Sequence, residues 1–137
     1  MDENMVVVML RDAETGFLEK ELAVSRVDYE GYLVNIIAER AEDAFFVRMK
    51  VATERDVLDW EFDAIYDYYD DEVFAAQEAS CVEVEDCENP VWELSFVWNG
   101  EAAVLEEKLN VLLALHVQEL DSVYAEIAAH QDEYTNG

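Results

Sequence analysis

Lysine and arginine are scarce: the chain has eight, against thirty-four Asp and Glu, for a formal net charge of −26 over 137 residues. Residues 56–107 contain no base at all while holding seventeen acids. Such a surface repels phosphates and anionic lipid headgroups, so neither direct nucleic-acid binding nor membrane binding is expected. The four glycines, Gly16, Gly31, Gly100 and Gly137, are too scattered to form a phosphate-cradling loop. Cys81 and Cys87 are the only cysteines; their spacing is not the C-x-x-C of zinc or redox sites, and they read as ordinary thiols. The two histidines, His116 and His130, are fourteen positions apart and cannot meet on one straight helix. With so few, a nucleophile–His pair is not expected. No apolar run approaches the roughly 20 residues of a membrane span. The opening Met1-Asp2-Glu3-Asn4 is acidic where a secretory signal is basic. A soluble, cytoplasmic protein is expected.

What the chain does have is apolar material, 53% of its residues, with sixteen aromatics among them. That suffices for a core in one domain spanning residues 1–137 and argues against disorder. Met5–Arg11 and Phe17–Val24 read as strands around the turn-like Asp12-Ala-Glu-Thr-Gly16. Tyr32–Glu39 and Ala44–Val51 repeat the arrangement, which predicts a four-stranded antiparallel meander. From Thr53, a predicted N-cap, the period changes from two to 3.6. Leu58, Phe62, Ile65, Tyr69 and Val73 then mark the buried stripe of a helix over residues 54–77. Cys81–Glu85 and Val91–Trp98 give two further strands. After Asn99-Gly100 a long helix runs from Glu101 to His130, buried along Leu105, Leu109, Leu112, His116, Leu120, Val123 and Ile127. Residues 131–137 are expected to fray. The predicted fold is α+β, an antiparallel sheet of about six strands with two helices packed on it, in the order ββββ-α-ββ-α.

The charge is unevenly placed. The first 55 residues carry a net of −5 and the remaining 82 a net of −21. On the helix predicted over 54–77, Asp56, Asp59, Asp63, Asp67 and Asp70 fall on one arc opposite the apolar stripe, with Asp71 adjoining. Between Glu54 and Glu72 there are nine acids and one base. On a continuous helix this is about one net charge per 3.5 Å, close to the spacing along one strand of B-DNA. Like charges at i and i+4 each cost a few tenths of a kcal/mol, so the ladder calls for an explanation. Trp60 and Phe74, read as lying at or within the acidic arc, complete a partner-binding patch as aromatic anchors. Glu83, Glu85, Asp86, Glu88 and Glu93 extend it if the fold brings them near.

Other chemistries find less support. Asp59–Asp63 and Asp67–Asp71 resemble calcium loops, but the glycine needed at the sixth position is Ala64 in one and Glu72 in the other. His116-Val-Gln-Glu119 inverts the Glu-x-x-His order of carboxylate-bridged metal bundles, and His116 reads as a hydrogen-bonded core residue. No pair of carboxylates stands out for general acid–base work. No catalytic residue, metal site or cofactor is expected, and the chain reads as non-enzymatic.

Asp12–Leu22 and Trp60–Asp71 resemble stretches from a family of small, acidic, uncharacterised bacterial proteins, to which no activity attaches. In type, though not in motif, the chain is also similar to small acidic proteins that imitate nucleic acid. These include phage inhibitors of restriction and CRISPR systems and immunity proteins against nuclease toxins. The expected function is therefore that of an acidic binding protein, a nucleic-acid mimic that inhibits a basic nucleic-acid-binding enzyme such as a nuclease. The alternative is a housekeeping or structural domain whose acidity serves solubility or adaptation to high salt.

Overall fold

The computed structural model describes residues 4–135 of the chain. Strands β1 (Met5–Arg11), β2 (Leu18–Arg26), β3 (Leu33–Ala41) and β4 (Ala44–Ala52) are followed by helix α1 (Asp59–Tyr68) and a 3-10 segment (Asp71–Gln77). Strands β5 (Ser80–Val84) and β6 (Val91–Trp98), the long helix α2 (Ala102–Ala128) and the short helix α3 (Gln131–Thr135) complete the chain. The fold is α+β, as the change of period implies.

Two features of the predicted architecture are corrected. The sheet is mixed, in the order β2-β1-β3-β4-β6-β5, with β1 and β3 parallel through Met9↔Ile37 and Leu10↔Ala38. The first four strands therefore do not form a meander. Residues 27–32, anchored by fully buried Val27 and closed by a 3-10 turn at Glu30–Tyr32, carry the chain past β1 and leave β2 at the edge. Among the described residues there are also three α-helices rather than two. In α3, placed where fraying was expected, Tyr134 donates its hydroxyl to Asp67 Oδ2 at 2.7 Å. Residues 136–137 lie outside the described residues.

Alternation sorts the strands into two faces. Val6, Val8 and Leu10 of β1, Val47, Met49 and Val51 of β4, and Trp92, Leu94, Phe96 and Trp98 of β6 are buried beneath the helices. The seven α2 residues expected to form its stripe are all buried against them. Gly100, with φ +95°, turns the chain from β6 into α2; a Cβ there would lie 3.2 Å from the Phe45 ring. At the centre of the core, His116 Nε2 lies 2.9 Å from the Ala52 carbonyl oxygen and its Nδ1 lies 2.7 Å from the Tyr69 hydroxyl. A carbonyl only accepts, so Nε2 carries the proton and Nδ1 accepts from Tyr69. The ring is neutral, as burial requires, with its pKa pushed down to about 4.

The acidic helix and its surroundings

Helix α1 is shorter than predicted, and so is its ladder. Thr53 does not cap it: that residue is buried and its hydroxyl donates to the Arg55 carbonyl at 2.7 Å. The helix starts after Leu58, whose N–H donates to Glu61 Oε1 at 2.9 Å, the carboxylate half of a capping box. It ends at Tyr69, which takes an extended conformation (ψ 123°). The interior dictates that break. Tyr69 turns inward to bond His116 and stack on Trp92, with ring centroids 4.1 Å apart, while the Asp70 N–H is taken by Glu119 of α2 at 3.0 Å. Asp70 then opens the 3-10 segment by accepting the Glu72 N–H at 3.0 Å.

All six predicted aspartates are exposed, but they do not form one ladder. Asp59, Asp63 and Asp67 share the outer side of α1 at i, i+4 and i+8, over about 12 Å of helix. Asp56 precedes the helix and holds the Asn89 side chain at 2.9 Å; Asp70 and Asp71 follow it. The density of one charge per 3.5 Å does not survive that interruption.

The aromatic anchors are corrected as well. Phe74 is fully buried, because the 3-10 segment rotates it away from the arc of a continuous helix and into the core. Trp60 is half-buried and packs against the core cluster. Leu58, expected on the buried stripe, is instead 61% exposed, since it sits at the N-cap rather than one turn inside the helix. The apolar stripe holds at Ile65 and Tyr69, which are buried, and at Phe62 and Val73, which are half-buried.

The β5–β6 hairpin does adjoin α1. The Tyr66 hydroxyl accepts the Val91 N–H at 2.9 Å and lies 3.2 Å from the Val84 and Val91 carbonyl oxygens, and Asn89 accepts the Val57 N–H at 2.9 Å. Glu83, Glu85, Asp86 and Glu88 are exposed on it; Glu93 belongs to the opposite face, where Arg48 pairs with it at 3.5 Å.

Electrostatically, what matters is where the bases near this surface are spent. Arg55 grips Glu61 through two 3.1 Å bonds, donates to the Asp56 carbonyl and lies 4.7 Å from the centre of the Tyr124 ring. Their pairing raises the Arg55 pKa and lowers that of Glu61. Lys108 of α2 donates to the Gln77 carbonyl and lies 5.6 Å from the centre of the Phe96 ring. Among the described residues, Asp59, Asp63 and Asp71 have neither a hydrogen-bond nor an ion-pair partner. Sequence reasoning found these acids but not the fixing of Arg55 and Lys108, which depends on tertiary contacts.

No group of three or more His, Cys, Asp or Glu among the described residues is arranged to hold a metal ion. Both cysteines are free thiols, and burial pushes Cys81 up to about 12. A cleft of about 210 Å³ beside β6 and α2 is lined by residues including Phe96, Trp98, Val104 and Lys108, and one of about 330 Å³ by Arg11–Glu14, Glu19 and Arg40; neither contains a histidine. Among the described residues no helix is long and apolar enough to cross a membrane.

The chain matches, over residues 1–135, a family described as "Family of unknown function (DUF6762)". It belongs to that family. No curated protein matches it, and no solved structure does.

Proposed function

We propose that the protein is a non-enzymatic acidic binding protein that docks the carboxylates of α1 and the following 3-10 segment onto a cation-rich macromolecular surface. The class that fits is the nucleic-acid groove of an enzyme that the protein inhibits. One observation carries this reading: Arg55 and Lys108, the bases near this surface, are tied into local contacts while Asp59, Asp63 and Asp71 are left uncompensated. An approaching lysine- or arginine-rich surface relieves that repulsion and releases its own counterions. The attraction is steered by charge alone, since Phe74 offers no grip and Trp60 only part of one.

The test is capture of basic proteins from the native host by the wild-type protein and by the Asp59→Asn/Asp63→Asn/Asp71→Asn variant, across a salt gradient. The reading expects a basic protein that the wild type retains at moderate salt and the variant releases earlier. Equal retention by both removes it. The burial of Phe74 favours a second reading, in which the acidity serves solubility; that reading expects no basic protein to be retained by either bait.

A further inference from the structure

The sheet face turned away from the helices has a different character from the rest of the molecule. Its cations are Arg11, Arg26, Arg48 and Lys50, and its acids are Glu21, Glu39 and Glu93, as strand register places them. Four bases meet three acids, so this face comes to a net of +1 and is nearly neutral on a chain of net charge −26. The pairs are connected: Arg11 binds Glu39 at 2.8 Å, Glu39 binds Arg48 at 3.2 Å and Arg48 reaches Glu93 at 3.5 Å, a ladder crossing β1, β3, β4 and β6. Between these charges the face is largely apolar, with Asn35, Ser80 and Ser95 as its polar uncharged positions. Val7, Val24, Val82 and Val97 are 46%, 43%, 55% and 68% exposed, and Phe46 and Ile37 are half-buried beside them.

We infer that this nearly neutral sheet face is a self-association surface, taking the same face of a second copy of the chain in a two-fold, sheet-on-sheet dimer. The charge decides the occupant. Arg11 and Arg48 are paired with Glu39 and Glu93 within the face, and its charges nearly balance, so a strongly cationic or anionic partner gains little net attraction there. A second copy meets little net repulsion at contact and covers the exposed valines. Elsewhere the two copies would oppose acid to acid. The size is also adequate: six strands about 4.8 Å apart, each with about three outward residues spaced about 6.8 Å, give a plane of roughly 550 Å². Side-chain relief brings this towards the roughly 800 Å² per partner of a standard interface. Two twisted sheets pack in this way about 10 Å apart.

This inference is independent of the docking reading, and salt separates the two. Salt weakens the capture of a cationic partner, whereas here it screens the long-range repulsion between two highly acidic bodies and strengthens the dimer. Sedimentation equilibrium in about 0.05 M and about 0.5 M NaCl should show a monomer–dimer equilibrium whose dissociation constant falls at least about tenfold at the higher salt. Val97→Arg, a change at a largely exposed position that leaves the core intact, should raise that constant at least about tenfold. Leu58→Arg, equally exposed but on the helical side, should leave it unchanged, with circular dichroism confirming the fold of both variants. A wild-type protein monomeric at about 0.2 mM in both salts overturns the inference. So does a dimer that Val97→Arg and Val24→Arg both leave intact.

Discussion

The Tyr69 hydroxyl and His116 Nδ1 lie 2.7 Å apart in the core, and this bond ends α1 and satisfies the free ring nitrogen of the only fully buried imidazole among the described residues, whose proton the Ala52 carbonyl holds on Nε2. Tyr69→Phe removes the donor and leaves Nδ1 buried without a partner. An unsatisfied buried acceptor costs about 1–3 kcal/mol. Urea unfolding should show a loss in that range with an unchanged denaturant slope; stability within a few tenths of wild type would mean that the bond contributes nothing.

The same ring sets a pH dependence. Its folded pKa, about 4, lies below the ordinary value of 6.5. Between those values the unfolded chain binds the extra proton, so stability falls as pH drops from about 6.5 towards 4, by an amount on the order of 3 kcal/mol. Tyr69, Tyr32, Trp92 and the Ala52 carbonyl surround the ring and offer it no carboxylate. His130 acts in the opposite sense. Glu133, and then Glu126, hold its pKa above the ordinary value, so the stability it contributes is full in acid and is lost as pH rises through the raised pKa. Unfolding free energies at pH 7.5 and 5.5 should therefore differ more in His130→Gln than in wild type, and less in His116→Asn.

Phe74 and Trp60 separate the core from the surface that sequence had assigned to both. Phe74→Ala empties a fully buried site and should cost about 3–5 kcal/mol. Trp60→Ala, at a half-buried position, should cost distinctly less. Thermal melts of the two variants rank them directly; equal losses would put Trp60 in the core too.

Much of this architecture could be read in the chain. The alternation in Phe45–Val51 and Val91–Trp98 marks strands because each has one buried face, and the α2 stripe from Leu105 to Ile127 is unbroken because that helix lies along the whole sheet. What failed was non-local. Nothing in the alternation of Met5–Arg11 says that it pairs with β3 as well as with β2, because period reports which face is buried and not which strand lies alongside. At Tyr69 the periodic pattern continues, yet the backbone leaves the helix because a histidine forty-seven positions away takes the hydroxyl. Phe74 was misassigned for the same reason, as a wheel drawn through a break places every later side chain wrongly. The exposure of the six aspartates did follow from sequence; their interrupted spacing did not.

The repulsion left on α1 has a measurable sign. Asp63 is one helical step of four from both Asp59 and Asp67, and each such like-charge pair costs a few tenths of a kcal/mol. Asp63→Asn should thus stabilise the fold by roughly half a kcal/mol at low salt. Asp59→Asn should be near neutral, because Asp59 stands in the first turn, where the helix dipole favours a negative charge by a comparable amount. Raising the salt should shrink the Asp63→Asn gain, and a gain that persists in about 1 M NaCl would point to a cause other than charge.

On the opposite face the sign reverses, because there the carboxylate is held. Glu39 accepts bonds from Arg11 Nε and Nη2 at 3.1 and 2.8 Å and from Arg48 Nε at 3.2 Å, and its side chain is only 13% exposed. Arg11 foremost, and Arg48 after it, hold its carboxyl below the usual range. A depressed acid contributes stability above its ordinary pKa, near 4.5, and loses it as pH falls through the lowered folded value. Glu39→Gln also leaves two guanidinium groups facing each other without the anion between them. Charged hydrogen bonds are worth about 1.5–3 kcal/mol, but both arginines are more than a third open to water, so the loss at pH 7 should be about 1–2 kcal/mol. Urea titrations of wild type and Glu39→Gln should therefore differ at neutral pH and converge as the pH falls below 4.5, since the wild-type carboxyl is then itself becoming neutral. Curves that stay parallel down to about pH 3 would mean that Glu39 acts through shape and packing rather than through its charge.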